Sequence, residues 1–219
     1  GVLGAKEKSV GECERMFGEE GLFETLVEEN SKLLNQQEFD KIVTLDPHAY
    51  RALHAFYPKL GAWYPVQHYT MFLAERLEQL RPLVVKPVAA TVTYHDNCCV
   101  GRRCGCYDPP RSLLQLIPGI RLVEMERHHD NALCCGGGGG GMWLDGHIVA
   151  HGGHRLSDER VRQAADTGAG TLAVSCPYEL SRVEDAAKVT GWEGRLQVRD
   201  IVELLAEAMD LGAAEQKSS

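Results

Sequence analysis

The chain has 219 residues, 44% hydrophobic and 25% charged, a composition that suits a globular protein of one two-lobed domain or two small domains with a sizeable core. Its net charge of −8 argues against nucleic acid and anionic membrane surfaces as principal partners. No apolar run reaches the roughly 18 residues of a membrane-spanning helix, and no charged-then-apolar signal segment opens the chain.

Residues 1–11 are polar with no clear start signal, and read as a chain that begins inside a domain. From Glu19 to Gln36, Leu22, Phe23, Leu26, Val27, Leu33 and Leu34 recur at helical spacing. Lys41 to Leu45 reads as a short buried strand stopped by Asp46-Pro47, with a helix following through Ala49, Leu53 and Phe56. Val66 to Leu80 is expected to form one amphipathic helix with Phe72, Leu73 and Leu77 inward, and Pro82 and Pro87 mark a linker. Ala90 to Tyr94 is a strand ending at His95-Asp96. Pro109-Pro110 opens a helix, Pro118-Gly119 ends it, and Ile120 to Met125 is the next strand. A helix over 154–167, a strand over 171–175, a helix over 178–189, a strand over 196–198 and a helix capped by Asp200 and running to Met209 complete the series. This alternation predicts an α/β fold with largely parallel sheets.

An internal repeat is visible. The run from Ile42 to Ala49 parallels Leu172 to Glu179, each a strand, a proline turn and a helix start; Val66 to Glu75 parallels Val198 to Glu207. The offsets are 130 and 132 residues. Two pseudo-repeated α/β lobes are therefore expected, the first degenerate and N-terminally incomplete. Residues 1–86 form the partial first unit, 87–212 the second, and 213–219 a loose tail. Asp46 and Ala49 stand where the second unit has Cys176 and Glu179, so the first unit keeps the frame without the thiols, and Asp46 is read as a helix cap.

Seven of the eight cysteines lie between residues 98 and 176. Crowding of this kind fits a reduced, cytoplasmic metal or redox site better than a disulfide scaffold. Cys98, the pair Cys134-Cys135 and Cys176 each end a strand or follow one, and in parallel sheets such loops gather at one edge. Four converging thiols hold an iron–sulfur cluster or a tetrahedral zinc. The glycines from Gly136 to Gly141 let the backbone approach a bulky centre. They lack the Lys-Ser/Thr of a P-loop and the spacing of a dinucleotide fingerprint.

The runs His95-Asp96-Asn97-Cys98-Cys99-Val100-Gly101-Arg102, Tyr107-Asp108-Pro109-Pro110-Arg111, Glu124-Met125-Glu126-Arg127 and Leu133-Cys134-Cys135-Gly136, leading to Met142-Trp143, resemble CCG-domain (cysteine-rich domain) proteins. This family includes the B and D subunits of heterodisulfide reductase and the iron–sulfur subunits of glycolate oxidase, anaerobic glycerol-3-phosphate dehydrogenase and lactate utilisation systems. The spacing of 35 residues between Cys98 and Cys134 fits its motif, and the 40 between Cys135 and Cys176 are slightly long. The resemblance implies a [4Fe–4S] cluster, of the non-cubane type in intact repeats, or zinc in some members. It implies Cys98, Cys134, Cys135 and Cys176 as metal ligands, with Glu179 at a fifth position where the family has cysteine; Cys99 is the alternative fifth ligand. His95, Gly136 and Gly137 are expected around the cofactor, His95 as a donor to cluster sulfur or a positioner of the loop. No residue is assigned a catalytic role.

The remaining candidates have plainer readings. Cys104 and Cys106 line the site, bind a separate zinc or are free thiols, and Cys13 is structural. His147, His151 and His154 form a solvated cluster, because Gly152-Gly153 interrupts any common helix. Arg102 and Arg103 either neutralise a cluster or lie at the surface, and Trp143 is a packing lid. The function implied is an iron–sulfur electron-transfer subunit of a heterodisulfide-reductase-like oxidoreductase complex, with one cluster and room for disulfide or thiol chemistry at an open iron. Its partners would be a flavin-containing dehydrogenase and further iron–sulfur subunits, with any membrane contact made through a partner. The alternatives are a zinc-binding structural or assembly module and, more weakly, a metal-free thiol enzyme.

Overall fold

Short β-branched runs supply the strands, and the helices between them cover both faces of one sheet. The protein is described from a computed structural model over residues 1–210; the expected tail and the end of the second unit at residue 212 lie outside the described residues. In chain order the elements are α1 (Glu12–Met16), α2 (Glu20–Leu34), β1 (Ile42–Thr44), α3 (Pro47–Arg51), β2 (Val66–His68), α4 (Tyr69–Ala74), α5 (Leu77–Leu80) and β3 (Ala90–Tyr94). There follow α6 (Asp108–Leu116), β4 (Ile120–Leu122), α7 (Asp145–Ala150), α8 (Leu156–Asp166), β5 (Thr171–Val174), α9 (Pro177–Val189), β6 (Gln197–Asp200) and α10 (Ile201–Ala208).

Every pairing between these strands is parallel, as the alternation predicts; Val84 and Met209 form an isolated antiparallel bridge outside them. β1 and β2 form a two-stranded sheet, and the larger sheet has the order β4-β3-β5-β6. β5 is buried along its whole length because both faces are covered. Ala173 packs with Val92, Leu113, Leu114, Ile201 and Leu204, which places α6 and α10 on one face. Its neighbour Leu172 points the other way, into Val161, Ala164, Val183 and Ala186 of α8 and α9. A third core joins Phe23 and Val27 of α2 to Ala52, Leu53 and Tyr57.

Several elements differ from the sequence expectation. Val66 to Leu80 is not one helix: Val66–His68 is a strand, because Val66, Gln67 and His68 pair with Ile42, Val43 and Thr44. His68 is buried there, its ring bonded to Thr70 Oγ1 (2.7 Å) and Leu45 O (3.2 Å), so tertiary pairing overrides helical periodicity. The 41–45 strand is not buried either, since a two-stranded sheet leaves Val43 and Leu45 exposed. The helix after Pro47 breaks at Arg51 into a π-helical turn (Ala52–Phe56) and a 3-10 turn (Tyr57–Leu60). The strand expected over 120–125 ends at Leu122. Asp46 caps α3 as expected, its carboxylate accepting from His48 N and Ala49 N. Asp200 caps α10, with Glu203 completing a capping box. No helix among the described residues is long and apolar enough to cross a membrane.

Leu113 is fully buried in the larger core. Leu113→Ala is expected to destabilise the chain by about 2–5 kcal/mol, read as a lowered urea midpoint with an unchanged slope; a change below about 0.5 kcal/mol would show that α6 does not anchor the sheet.

Candidate metal centre

The site lies at the carboxyl edge of β3 and β5. His95 N donates to Ala173 O (2.9 Å), which carries the β3–β5 pairing one residue past Tyr94. The hydroxyls of Tyr94 and Ser175 share a hydrogen bond of 2.9 Å. The segments leading to Cys98 and Cys176 are thereby held side by side. Asn97 shapes the next turn: its Oδ1 accepts from Cys99 N (2.8 Å) and Val100 N (3.0 Å), and its Nδ2 donates to Glu179 Oε1 (2.5 Å). Cys176 occupies the N-cap position of α9, with Pro177 following and Glu179 in the first turn.

The thiols meet in a connected set. Cys134 Sγ lies 3.8 Å from Cys98 Sγ and accepts from Gly136 N at 3.3 Å. Gly136 has φ 74, a left-handed conformation that glycine adopts without a Cβ clash. The Cys135 thiol, a His95 ring nitrogen and a Glu179 carboxylate oxygen lie within 4.8 Å of one another. Cys176 forms a second such group with His48 and Asp46. A Cβ on Gly137 would stand 3.6 Å from Cys135 Sγ.

The electrostatics divide these thiols. Hydrogen bonds with Cys135 and Cys98, helped by the Gly136 N–H, hold the Cys134 thiol well below the ordinary thiol range. Its partner Cys98 is pushed up by the same bond. Cys99 is lowered to about 6 by its bond with Cys98, and His48 adds to that against burial. Burial pushes Cys176 up to about 12. Burial also opposes a charge on His48, but its bonds with Asp46, Cys176 and Cys99 outweigh this and raise its pKa.

Two polar atoms here are buried without a hydrogen-bond partner, His95 Nε2 and Glu179 Oε2. Arg160 Nε donates to His95 Nδ1 at 2.8 Å, so the neutral ring carries its proton on Nε2. That N–H lies 3.3 Å from Glu179 Oε1 without hydrogen-bonding geometry. His95 is thus set as a donor into the site, and Glu179 as an acceptor.

Other expected residues fall elsewhere. Cys104 and Cys106 are half-buried free thiols and belong to none of the metal-ligand groups found among the described residues. His147, His151 and His154 lie at the surface, outside those groups, as a solvated cluster should. Arg102 donates to the carbonyls of Asp130 (3.0 Å) and Ala132, fastening the segment before Cys134. Trp143 is not a packing lid: it is 81% exposed. It lines a cavity of about 170 Å³ with Cys13, Phe17, His48 and Tyr178. Sequence reasoning reads Asp46 only as a helix cap and misses the grouping of Asp46 and His48 with Cys176. The available signal is the alignment of Asp46 and His48 with Cys176-Pro177-Tyr178 in the repeat. It misses Arg160 and Arg182 as well; Arg182 donates to Cys135 O (3.3 Å) and to both oxygens of Asp145.

Residues 92–178 match the cysteine-rich domain family CCG. The chain is 41% identical to the probable iron–sulfur-binding oxidoreductase FadF of Bacillus subtilis, over 97% of this chain and 29% of that protein. It is 36% identical to the EtfAB:quinone oxidoreductase of Syntrophomonas wolfei, over 96% of this chain and 30% of that protein. It is 32% identical to a subunit of the dihydromethanophenazine:CoB–CoM heterodisulfide reductase of Methanosarcina barkeri, over 86% of this chain and 46% of that protein. The chain therefore spans less than half the length of each of these relatives.

The thiol order is testable in the cluster-free chain, because the thiolate is the reacting form. A lowered pKa keeps Cys134 ionised at pH 6, whereas Cys106, raised by burial to about 11, is protonated there. Iodoacetamide at pH 6 is expected to label Cys134 before Cys106 by peptide mass spectrometry, with the difference narrowing towards pH 10; equal labelling at pH 6 would refute the assignment.

Proposed function

Residues 92–178 of this chain are a CCG cysteine-rich domain, and from that premise we propose that the chain is the iron–sulfur electron-transfer part of a heterodisulfide-reductase-like oxidoreductase complex. The reading rests on one observation: Cys98, Cys134, Cys135 and Cys176 line one edge of the sheet where two buried polar atoms, His95 Nε2 and Glu179 Oε2, lack partners. Soft thiolates suit iron–sulfur clusters, and an unpartnered buried carboxylate oxygen suits a hard fifth ligand. The four cysteines and Glu179 would hold a [4Fe–4S] cluster, with non-cubane assembly favoured by the family motif. Such a cluster supplies one-electron transfer when bound.

The chain's own residues set the conditions. Asn97 holds Glu179 Oε1, which leaves Oε2 for the metal. Arg160 fixes the His95 tautomer, so His95 donates from Nε2 rather than ligating. Gly136 and Gly137 bring backbone close to the thiols. Residues 1–86 are the degenerate counterpart of the cluster-bearing unit, supplying Asp46 and His48 beside Cys176. The partners are a flavin-containing dehydrogenase and further iron–sulfur subunits, in keeping with relatives named as an EtfAB:quinone oxidoreductase and a heterodisulfide reductase component.

Anaerobically purified protein is expected to contain about four iron and four sulfide per chain with broad visible absorption, and Cys176→Ser to lose most of both. One zinc per colourless chain would instead establish the closed tetrahedral zinc module. Glu179→Cys is expected to keep the iron and shift the reduction potential and electron paramagnetic resonance spectrum; an unchanged spectrum and potential would remove Glu179 from the ligand set.

A further inference from the structure

A separate cluster stands on the segment between β4 and Cys134. Glu124, His128 and His129 each present a ligand atom, and all three atoms lie within 4.8 Å of one another. The two Nδ1 atoms face each other at 2.5 Å, with ring centroids 4.7 Å apart. One neutral ring can donate its Nδ1–H to the other across that gap, and a zinc ion in place of the shared proton would hold the two nitrogens about 3.3 Å apart. Here His129 has φ 55, the one non-glycine residue in the left-handed region among the described residues.

The surroundings hold this arrangement in place. His129 N donates to Asp96 Oδ2 at 2.7 Å, and Arg102 clasps the carbonyls of Asp130 and Ala132. Arg111 donates to Glu124 Oε1 (2.7 Å) and Oε2 (2.9 Å) and to both oxygens of Asp96. Asp96 offsets the guanidinium charge, and each Glu124 oxygen retains a second lone pair. Ligating carboxylates are characteristically steadied by such hydrogen bonds. Glu124 is exposed and both histidines are half-buried, so an ion enters from solvent.

We propose that Glu124, His128 and His129 form a second metal site, for a divalent cation of the zinc class, with water completing the coordination. Two imidazoles and a carboxylate are a borderline donor set that suits zinc, and three protein ligands leave a fourth position open. The site shares no residue with the thiol centre. Its occupation braces the segment that leads into Cys134-Cys135.

The test uses the full chain, purified anaerobically with its thiol site loaded, freed of loosely bound ions and titrated with Zn2+ against a chromophoric chelator. Wild type is expected to bind one Zn2+ that the double variant His128→Ala, His129→Asn lacks, or binds about tenfold or more weakly. Asparagine tolerates the left-handed backbone, and His128→Ala alone leaves that backbone untouched, so it is expected to weaken binding without altering circular dichroism. Zinc-edge X-ray absorption should show nitrogen and oxygen neighbours and no sulfur. Equal binding by wild type and variants, no binding by wild type, or sulfur in the zinc shell would each overturn the site. Iron content of the same samples reports on the thiol centre separately.

Discussion

The parallel pairing of β3 with β5 is the constraint on which the site depends. Thr93 opposes Leu172 and Tyr94 opposes Ala173, and the His95 N to Ala173 O bond adds one more rung. Side chains alternate across a strand, so register decides which residues emerge together at the edge. A slip of one residue would turn Leu172 away from α8 and α9 and put Ala173 in its place. It would also separate Asn97 from Glu179, a contact that spans 82 residues of sequence. Apolar packing on two faces thus fixes the positions of thiols that belong to none of the three apolar cores.

Around that edge, buried guanidinium groups do the orienting. Arg111 joins Asp96 to Glu124, Arg160 holds His95, and Arg182 joins the Cys135 carbonyl to Asp145. Each arginine has a planar fork of donors and remains charged at any physiological pH. Each also ties a loop at the site to a helix of the frame: α6, α8 and α9 in turn. Arg111 and Arg182 pair with carboxylates, and removing one partner of such a buried pair leaves a charge uncompensated, a cost of about 3–5 kcal/mol. The loops around the thiols are therefore held by polar contacts, whereas the sheet is held by apolar ones.

Much of the frame is legible in the sequence. The β3, β5, α9 and α10 segments carry β-branched runs, proline starts and an aspartate cap, all local signals, and the structure has them at nearly the expected bounds. The stretch over 66–80 escapes such signals because three residues of strand depend on pairing with Ile42–Thr44, a contact invisible to local periodicity. The same divide runs through the site. Cys98, Cys134, Cys135 and Cys176 announce themselves by residue type and spacing, and Glu179 only through the family resemblance. His48, Arg160 and Arg182 reach the thiols or their neighbours only through the tertiary fold. His128-His129 carries a local signal, two adjacent imidazoles, but its meaning depends on Glu124 and a left-handed backbone.

The glycine run after Cys135 has a consequence beyond backbone freedom. A methyl group on Gly138 would meet His48 Nε2 at 2.8 Å, on Gly139 Met16 Cε at 2.8 Å, and on Gly140 Phe17 Cζ at 2.4 Å. All three obstacles belong to the part of the chain that carries just one cysteine, Cys13. The loop is bare of side chains on that flank because another segment already fills the space. A stretch that lacks the chemistry thus dictates spelling to the stretch that has it: Gly139 and Gly140 have a positive φ that itself disfavours a side chain, but at Gly138 an alanine tolerated in an isolated thiol-bearing unit would act as a wedge against His48.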